Sequence, residues 1–330
     1  ARRVLQWGLL STAQINRRLI PPLRISRRNQ LLGVASRSQE RAAAYAREWG
    51  IPKAYHHYEA MLADPEIDVI YISLPNSLHA EWTIKACQAG KHVLCEKPLA
   101  MSVEEVHAME NAAKKAGVIV AEAFMYRHHP QTLKVKELVD SGALGELRLV
   151  HGSFTFLLSN SENIRLILDL GGGSIWDVGC YPISYARYVI GAEPAEVWGT
   201  QLTGPSGVDL FFAGQMRFPG EVIAQFDCGF NATSRAMVEI VGSQASMSIL
   251  HPFTPGVREH LLLSSGDRVE RISVRGSELY QGEVEDMADA ILEGKAPRIS
   301  LSHSLGNVNV IVGLLRSAQE GRVVNINSPE

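Results

Sequence analysis

Cysteine is scarce in this chain, with four among 330 residues (Cys87, Cys95, Cys180 and Cys228), far apart and without a C-x-x-C. That spacing excludes a zinc knuckle and a redox pair, and it predicts reduced, mostly buried thiols. Long apolar runs are missing as well. The strongly apolar stretches are strand-length, such as Val69-Ile70-Tyr71-Ile72, against the roughly 18 residues of a transmembrane helix, so no membrane partner is expected. The start, Ala1-Arg2-Arg3-Val4-Leu5, holds neither an apolar signal core nor a small-residue cleavage site, which predicts a cytoplasmic protein. Neither H-x-x-x-H nor H-E-x-x-H occurs, and no metal is expected. Biased tracts are absent too, which rules out disordered, fibrous and collagenous chains.

What is present is the material for two cores. At about 150 residues per domain the length gives about two domains, and hydrophobic residues make up 46%. The net charge of -3 is uneven: residues 1–125 carry 16 basic and 12 acidic side chains (+4), and residues 126–330 carry 16 and 23 (-7). The first part favours an anionic ligand. Seven arginines (Arg2, Arg3, Arg17, Arg18, Arg24, Arg27, Arg28) fall within the first 28 residues, and no acid stands before Glu40. Without interleaved aromatics or a nucleic-acid motif they read as a solvated helix face, and no nucleic-acid partner is expected.

From Val4 to Ala123 apolar strand runs alternate with amphipathic helical segments, the pattern of a parallel sheet with crossover helices. Strands are predicted at residues 4–10, 31–36, 69–73, 93–95 and 118–123, and helices at 14–25, 39–49, 78–89 and 103–116. The run from Trp49 to Tyr58, with His56-His57, reads as ordinary packing. After Pro130 the pattern changes to one helix (132–141) and a series of alternating strands at 147–157, 196–202, 210–218, 222–230, 237–241, 246–250, 260–263 and 269–274. Phe154 and Phe156 alternate with Ser153 and Thr155, as in a half-buried antiparallel sheet. Gly171-Gly172-Gly173 interrupts this region, and Ser174 is expected to N-cap a helix toward Ile190. Two late helices, 283–292 and 302–318, would cover the sheet or pack back on the first domain. The fold class is therefore α/β: a doubly wound Rossmann domain over 1–125 and an α+β domain with a large, mainly antiparallel open sheet over 126–330.

A parallel-sheet domain at the start of a chain invites the dinucleotide test, in which a glycine-rich loop follows the first strand. All three glycines of G-x-G-x-x-G/A are absent from Ser11-Thr12-Ala13-Gln14-Ile15-Asn16. Ser11 and Ala13 are still small enough for a backbone approach to pyrophosphate, and Ser11 or Thr12 offers a hydroxyl. The second strand ends in Ser36-Arg37-Ser38. An acid there would accept the 2′-hydroxyl of NAD, whereas an arginine flanked by hydroxyls suits a 2′-phosphate, so Arg37 points to NADP, with NAD the alternative.

Two further segments fall at carboxyl ends of strands, Pro75-Asn76-Ser77-Leu78-His79 and Glu96-Lys97-Pro98, and a third motif, Asp177-Val178-Gly179-Cys180-Tyr181, follows the glycine run. With a P-N-x-x-H turn, an E-K-P triplet and a D-x-G-x-[HY] helix in this order, the chain resembles the glucose-fructose oxidoreductase/inositol dehydrogenase family. The stretches 122–130 and 171–181 look most like its sugar and dihydrodiol dehydrogenase branch. The resemblance implies cofactor contacts from Ser11, Thr12, Ala13, Gln14, Ile15, Ser36, Arg37, Leu74, Asn76, His79, Glu96 and Lys97, a cis bond before Pro98, and a homodimer or homotetramer.

Residue chemistry supplies the roles. The Lys97 ammonium would stabilise negative charge on the reacting oxygen and acidify a neighbouring hydroxyl. Asp177 and Tyr181, spaced i, i+4 on a helix, share a face. Bringing a tyrosine from pKa 10 to about 7 takes roughly 4 kcal/mol, which a nearby lysine could largely supply, so Tyr181 is the expected proton-transfer residue. Asp177 would hydrogen-bond a substrate hydroxyl or orient Lys97. Arg127 and Trp176 are expected to touch substrate, with His128 or His129 behind them. The reaction expected is hydride transfer between nicotinamide and a carbinol carbon of a pyranose sugar or related cyclic polyol. Keto-sugar reduction, trans-dihydrodiol oxidation, NAD-dependent glycoside hydrolysis and non-enzymatic dinucleotide sensing are the alternatives.

Overall fold

The computed structural model describes residues 3–326. By compactness the chain forms two units, residues up to Met125 with Tyr280–Leu305, and Tyr126–Leu279 with the residues from Gly306 on.

In the first unit, six strands, β1 (Leu5–Leu10), β2 (Asn29–Ala35), β3 (Lys53–Tyr55), β4 (Val69–Ile72), β5 (His92–Glu96) and β6 (Val120–Ala123), form a parallel sheet in the order β3-β2-β1-β4-β5-β6. Between them run α1 (Asn16–Ile25), α2 (Gln39–Trp49), α3 (Tyr58–Leu62), α4 (His79–Gln88) and α5 (Val103–Ala116). β4 is buried at every residue, as a strand covered by helices on both faces must be. The strand order reverses between β1 and β4, and a ligand of such a sheet lies at that reversal, outside the carboxyl ends of the strands.

The helices α2 and α5 have the bounds expected of them because both ends are signalled locally. Ser38 and Ser102 accept hydrogen bonds from the third amide beyond them, and Gly50 and Gly117 close the helices in the left-handed region at φ 56° and 65°. The strand β3 and helix α3 were not anticipated. β3 lies in the run read as ordinary packing and α3 starts at its last residue, Tyr58; the Tyr55 ring covers Gly33 on β2 so closely that a Cβ there would come within 2.6 Å of it, and His57 accepts from the Ala60 amide as the cap of α3.

The second unit holds α6 (Pro130–Asp140), β7 (Leu147–Leu157), α7 (Cys180–Ile190), β8 (Glu196–Thr203), β9 (Asp209–Phe218), β10 (Val222–Gly229), β11 (Asn231–Gly242), β12 (Ser246–Ile249), β13 (Arg258–Ser265) and β14 (Arg268–Arg275). Two helices, α8 (Gln281–Glu293) and α9 (Leu301–Glu320), and β15 (Val324–Asn325) complete the chain. The nine-stranded sheet has the order β14-β13-β12-β11-β7-β10-β9-β8-β15, and its one parallel pair is β7 with β10. One face buries Val150, Phe212, Met216, Ala224, Phe226, Val238 and Ile240. On this face Gly152 lets Pro182 of α7 approach so closely that a Cβ would come within 2.7 Å of it. The other face leaves Trp198 and Ile223 48% and 37% exposed, beside the exposed Gln215 and Gln225.

Of the two outcomes open to the late helices, each takes one. The later part of α9 covers the second sheet, where Ser317 Oγ accepts from the Gly199 amide at 3.0 Å. α8 packs back on the first unit. There Arg28, expected on a solvated helix face, donates to Glu285, Asp289 and Glu293 of α8 at 2.6–2.9 Å, so one of the seven arginines is structural.

Candidate active site

The loop after β1 turns sharply at Ser11, whose φ of 151° lies where side chains other than glycine are rare. Ser11, Thr12, Ala13 and Ile15 are partly exposed and Gln14 is exposed at the mouth of α1. At the end of β2, Ser36 is buried and accepts from the Ser38 amide at 3.3 Å, while Arg37 is exposed. The Tyr58 phenol, pushed up by burial and held back by the Arg37 charge and hydrogen bond, steadies that guanidinium. Arg37 is therefore a cation at the tip of β2 with no acid beside it in sequence, a setting fit for a 2′-phosphate.

The turn after β5 carries Lys97, and its peptide to Pro98 is cis, as the resemblance implied. The backbone around it is fixed from several elements. The Glu96 side chain accepts from the Tyr71 phenol of β4 and, at 3.3 Å, from the Lys97 amide. Burial, then the Glu96 charge, push the Tyr71 phenol well above its ordinary value, so it remains a donor. Glu122 of β6, 1% exposed, accepts from the Leu99 amide at 2.7 Å and from Ser304 Oγ at 2.9 Å.

His79, expected among the cofactor contacts, is fully buried with Nδ1 2.7 Å from the Pro98 carbonyl and Nε2 2.8 Å from the Leu74 carbonyl. Burial drives its pKa down, opposed by the two carbonyls and assisted by the Lys97 charge. The neutral ring has one N–H and donates to one of the two carbonyls, and it lies between the turn after β4 and the turn after β5. Leu74 is buried, and Asn76 opens a short 3-10 turn, Asn76–Leu78, on the more accessible side.

In the second unit the predicted helix over 175–190 begins with a π turn, Ile175–Gly179, before α7. Pro182 lies in the first turn of α7 and has no amide for the preceding carbonyls, which favours the wider turn. Ser174 stands at the N-cap position expected of it, but its own backbone is helical and its side chain caps nothing. Asp209 of β9, 4% exposed, does that work from outside the segment, accepting from Ser174 Oγ at 2.6 Å and from the Ile175 amide at 2.8 Å. Burial raises the Asp209 pKa to about 6 against those two bonds.

Asp177 lies inside the π turn, and its Oδ2 accepts from Arg165 Nε at 2.7 Å. Tyr181, 6% exposed, packs among Phe154, Phe253 and Tyr126 with ring centroids 5.3, 5.4 and 5.9 Å away. Trp176 is 5% exposed. Arg127 is 4% exposed, with its guanidinium 3.7 Å from the centroid of the Tyr188 ring. His129 accepts from the Gln131 amide at Nδ1, so its Nε2–H donates to the Gly256 carbonyl at 3.0 Å and fixes the tautomer; it is a helix cap. Arg165 and Asp209 were missed in the sequence because neither stands in a motif, and each reaches its partner only in the fold.

Among the described residues no group of His, Cys, Asp or Glu is arranged to hold a metal ion, and no helix is long and apolar enough to cross a membrane. The four cysteines are free and buried.

Residues 5–124 match the family model described as "Oxidoreductase family, NAD-binding Rossmann fold", and residues 132–248 match "GFO/IDH/MocA C-terminal domain". Among relatives, the chain is 36% identical over 327 residues to D-xylose 1-dehydrogenase (NADP(+)) 2 of Haloferax volcanii, covering 98% of this chain and 100% of that one. Among solved structures, aldose-aldose oxidoreductase from Caulobacter crescentus, complexed with glycerol, superimposes with a TM-score of 0.90 at 28% identity, covering 98% and 100% of the two chains. A 3-ketoreductase from Actinomadura kijaniata in complex with NADP and TDP-benzene gives 0.91 at 28% identity, covering 96% and 98%. The chain belongs to the GFO/IDH/MocA family of oxidoreductases with an NAD-binding Rossmann fold.

Proposed function

We propose that this protein is an NADP-dependent oxidoreductase that moves a hydride between nicotinamide and a carbinol carbon of a pyranose sugar or related cyclic polyol. The full-length likeness to an NADP-dependent xylose dehydrogenase carries the reading. The retention of Lys97, Asp177 and Tyr181 in this chain is consistent with it. The Rossmann sheet fits a dinucleotide at the reversal between β1 and β4, with the loop 11–15 toward the pyrophosphate, Arg37 toward the 2′-phosphate, and Asn76 and Lys97 toward the nicotinamide half.

When bound, the dinucleotide supplies the hydride acceptor or donor. The chain supplies placement and proton traffic. Tyr181 takes the hydroxyl proton at its phenolic oxygen during oxidation, Lys97 lowers the pKa of that phenol and holds the substrate oxygen, and Asp177 orients a neighbouring hydroxyl. Arg127 and Trp176 bound the substrate. The same groups run in reverse serve keto-sugar reduction, a reading favoured by the likeness to the 3-ketoreductase.

A screen of aldoses, inositols and dihydrodiols with NADP and NAD, read as reduced-nicotinamide absorbance, tests the proposal. Turnover is expected with an aldose and NADP. Release of a glycosidic bond without net cofactor turnover would replace it with the hydrolase. Arg37→Ala should weaken NADP by the equivalent of about 1.5 to 3 kcal/mol and leave NAD nearly unchanged; an unmoved preference would refute the 2′-phosphate assignment.

The protein works as a homodimer, or a dimer of dimers, through the open face of the nine-stranded sheet, where Trp198 and Ile223 are exposed. Trp198→Glu should yield monomers by light scattering, and a wild type already monomeric at micromolar concentration would end this part. With four buried free thiols and no motif for pairing them, the cytoplasm is the compartment that fits.

A further inference from the structure

The loop after β1 lacks every glycine of the usual phosphate loop, yet Ser11 takes a φ of 151° that glycine adopts freely and other residues rarely do. A conformation of that kind persists only where its surroundings impose it. Here the surroundings form a closed circuit across the reversal of the sheet. Asn16 Nδ2 donates to the Ser11 carbonyl at 2.8 Å, which fixes the orientation of the amide and leaves Oδ1 as an acceptor. Ser73, just beyond β4, donates its hydroxyl proton to that Oδ1 at 2.8 Å. The 2.8 Å contact between the Ser11 and Ser73 hydroxyls must then have Ser11 as donor, because the one proton of Ser73 is already directed at Asn16. Ser11 Oγ also accepts from the Ala13 amide at 3.2 Å. Asn16 is fully buried and Ser73 is 9% exposed, so water does not readily replace either partner.

We propose that Asn16 and Ser73 are positioning residues for the dinucleotide: they hold the Ser11 turn in the shape glycine would take unaided, and so shape the loop for pyrophosphate. The inference rests on the cofactor reading above. It also revises the part given to Ser11. Its hydroxyl proton is committed to Ser73, so the Thr12 hydroxyl and the amides of Gln14 and Ile15, at the mouth of α1, are left to meet the phosphates.

The test measures equilibrium binding of NADP and of NAD by protein fluorescence, with the melting temperature of the cofactor-free protein in parallel. Asn16→Ala should weaken both dinucleotides by about 10- to 100-fold, since losing the brace releases a backbone conformation held against its preference. Ser73→Ala, which removes one hydroxyl and leaves the fold intact, should weaken them by about 5- to 10-fold, the effect of one hydrogen bond. In Ser11→Gly the turn no longer needs the brace. Adding Asn16→Ala to that background should therefore lower affinity only a few-fold, although it lowers the melting temperature as much as in the wild type. Unchanged binding in Asn16→Ala and Ser73→Ala overturns the inference. So does an equal loss with and without Ser11→Gly, which would make Asn16 a general support of α1. Wild-type protein that binds neither dinucleotide would instead overturn the cofactor reading, and this inference with it.

Discussion

The turn that carries Lys97 and the turn that carries Asp177 are braced in different ways. Around Lys97 the main chain is tied by Glu96 with Tyr71, by His79 and by Glu122, side chains that reach it from three strands and a helix. Around Asp177 two charged groups take part in the bracing, a buried one at the start of the π turn, Asp209, and an outer one on Asp177 itself, Arg165, whose side chain is 43% exposed. Many small ties distribute the consequence of any single loss, whereas two charged ties concentrate it and make it depend on pH and salt. The first turn should thus tolerate conservative change around Lys97, and the second should respond to single substitutions well away from the chemistry.

Removing the groups proposed to react gives the largest expected effect and sets the scale for both regions. Tyr181→Phe keeps the ring among Phe154, Phe253 and Tyr126 and deletes the hydroxyl proposed to carry the proton. Turnover should fall by about 100-fold to 10,000-fold with cofactor affinity largely kept, and Lys97→Met should do comparable damage. Under the proposed roles the two share one step, so the double variant should lose far less than the product of the single losses. Steady-state kinetics on the best substrate of the screen decide this; a Tyr181→Phe enzyme with most of its activity would move the proton role elsewhere.

The buried brace of the second region is the next test. The Asp209 carboxyl has its pKa raised from 3.8 to about 6 by burial. A folded value above the unfolded one means that the folded state holds the proton more tightly. The associated stability is fully present below about pH 3.8 and is lost as pH rises through about 6. At 1.36 kcal/mol per unit this is about 3 kcal/mol across that window. The neighbouring Cys228 thiol, pushed well above its ordinary value by burial and then by the Asp209 charge, stays neutral throughout. Denaturant unfolding of wild type and Asp209→Asn at pH 4, 5, 6 and 7 should show the slope in the wild type and a flatter profile in the variant. Parallel profiles would remove Asp209 from the titration.

The same contrast explains what the sequence could and could not disclose. The parallel sheet with its crossover helices, the helices α2 and α5 with their glycine ends, and the turns after β4 and β5 are local signals that reappear where their residues predict, whereas the third motif begins in a π turn where one continuous helix was expected. The three-residue strand β3 carries too little periodicity to be seen; its tyrosine is held by Gly33 beneath the ring and by the Asp64 carboxylate that accepts from its phenol, neither of which the run itself discloses. Ser174 holds the cap position that a serine before an apolar run usually takes, but the carboxylate that accepts there, Asp209, stands 35 residues later. Asn16 and Ser73 are invisible for the same reason. Their pairing depends on β1 lying beside β4, which is a property of the sheet.

The smallest expected effect comes from the outer tie of the second region, and it tests whether that tie acts on the substrate or on stability. Arg165 donates through Nε to Asp177 at 2.7 Å, and its backbone carbonyl accepts from the Gly173 amide, so the side chain reaches Asp177 from a segment anchored beside the glycine run. With its side chain 43% exposed, the pair is worth no more than about 1 kcal/mol to folding. Arg165→Gln retains a donor of shorter reach and removes the charge. Its melting temperature should stay within a few degrees of wild type. The carboxylate it releases is the one proposed to orient a substrate hydroxyl, so KM for the sugar should rise several-fold. NADP affinity should not move, since nothing in the loop 11–15 or at Arg37 depends on Arg165. Added salt should reproduce part of the KM change in the wild type and little of it in the variant, because only the wild type has the ion pair to screen. A variant with unchanged KM but a melting temperature lowered by ten degrees or more would assign Arg165 to folding.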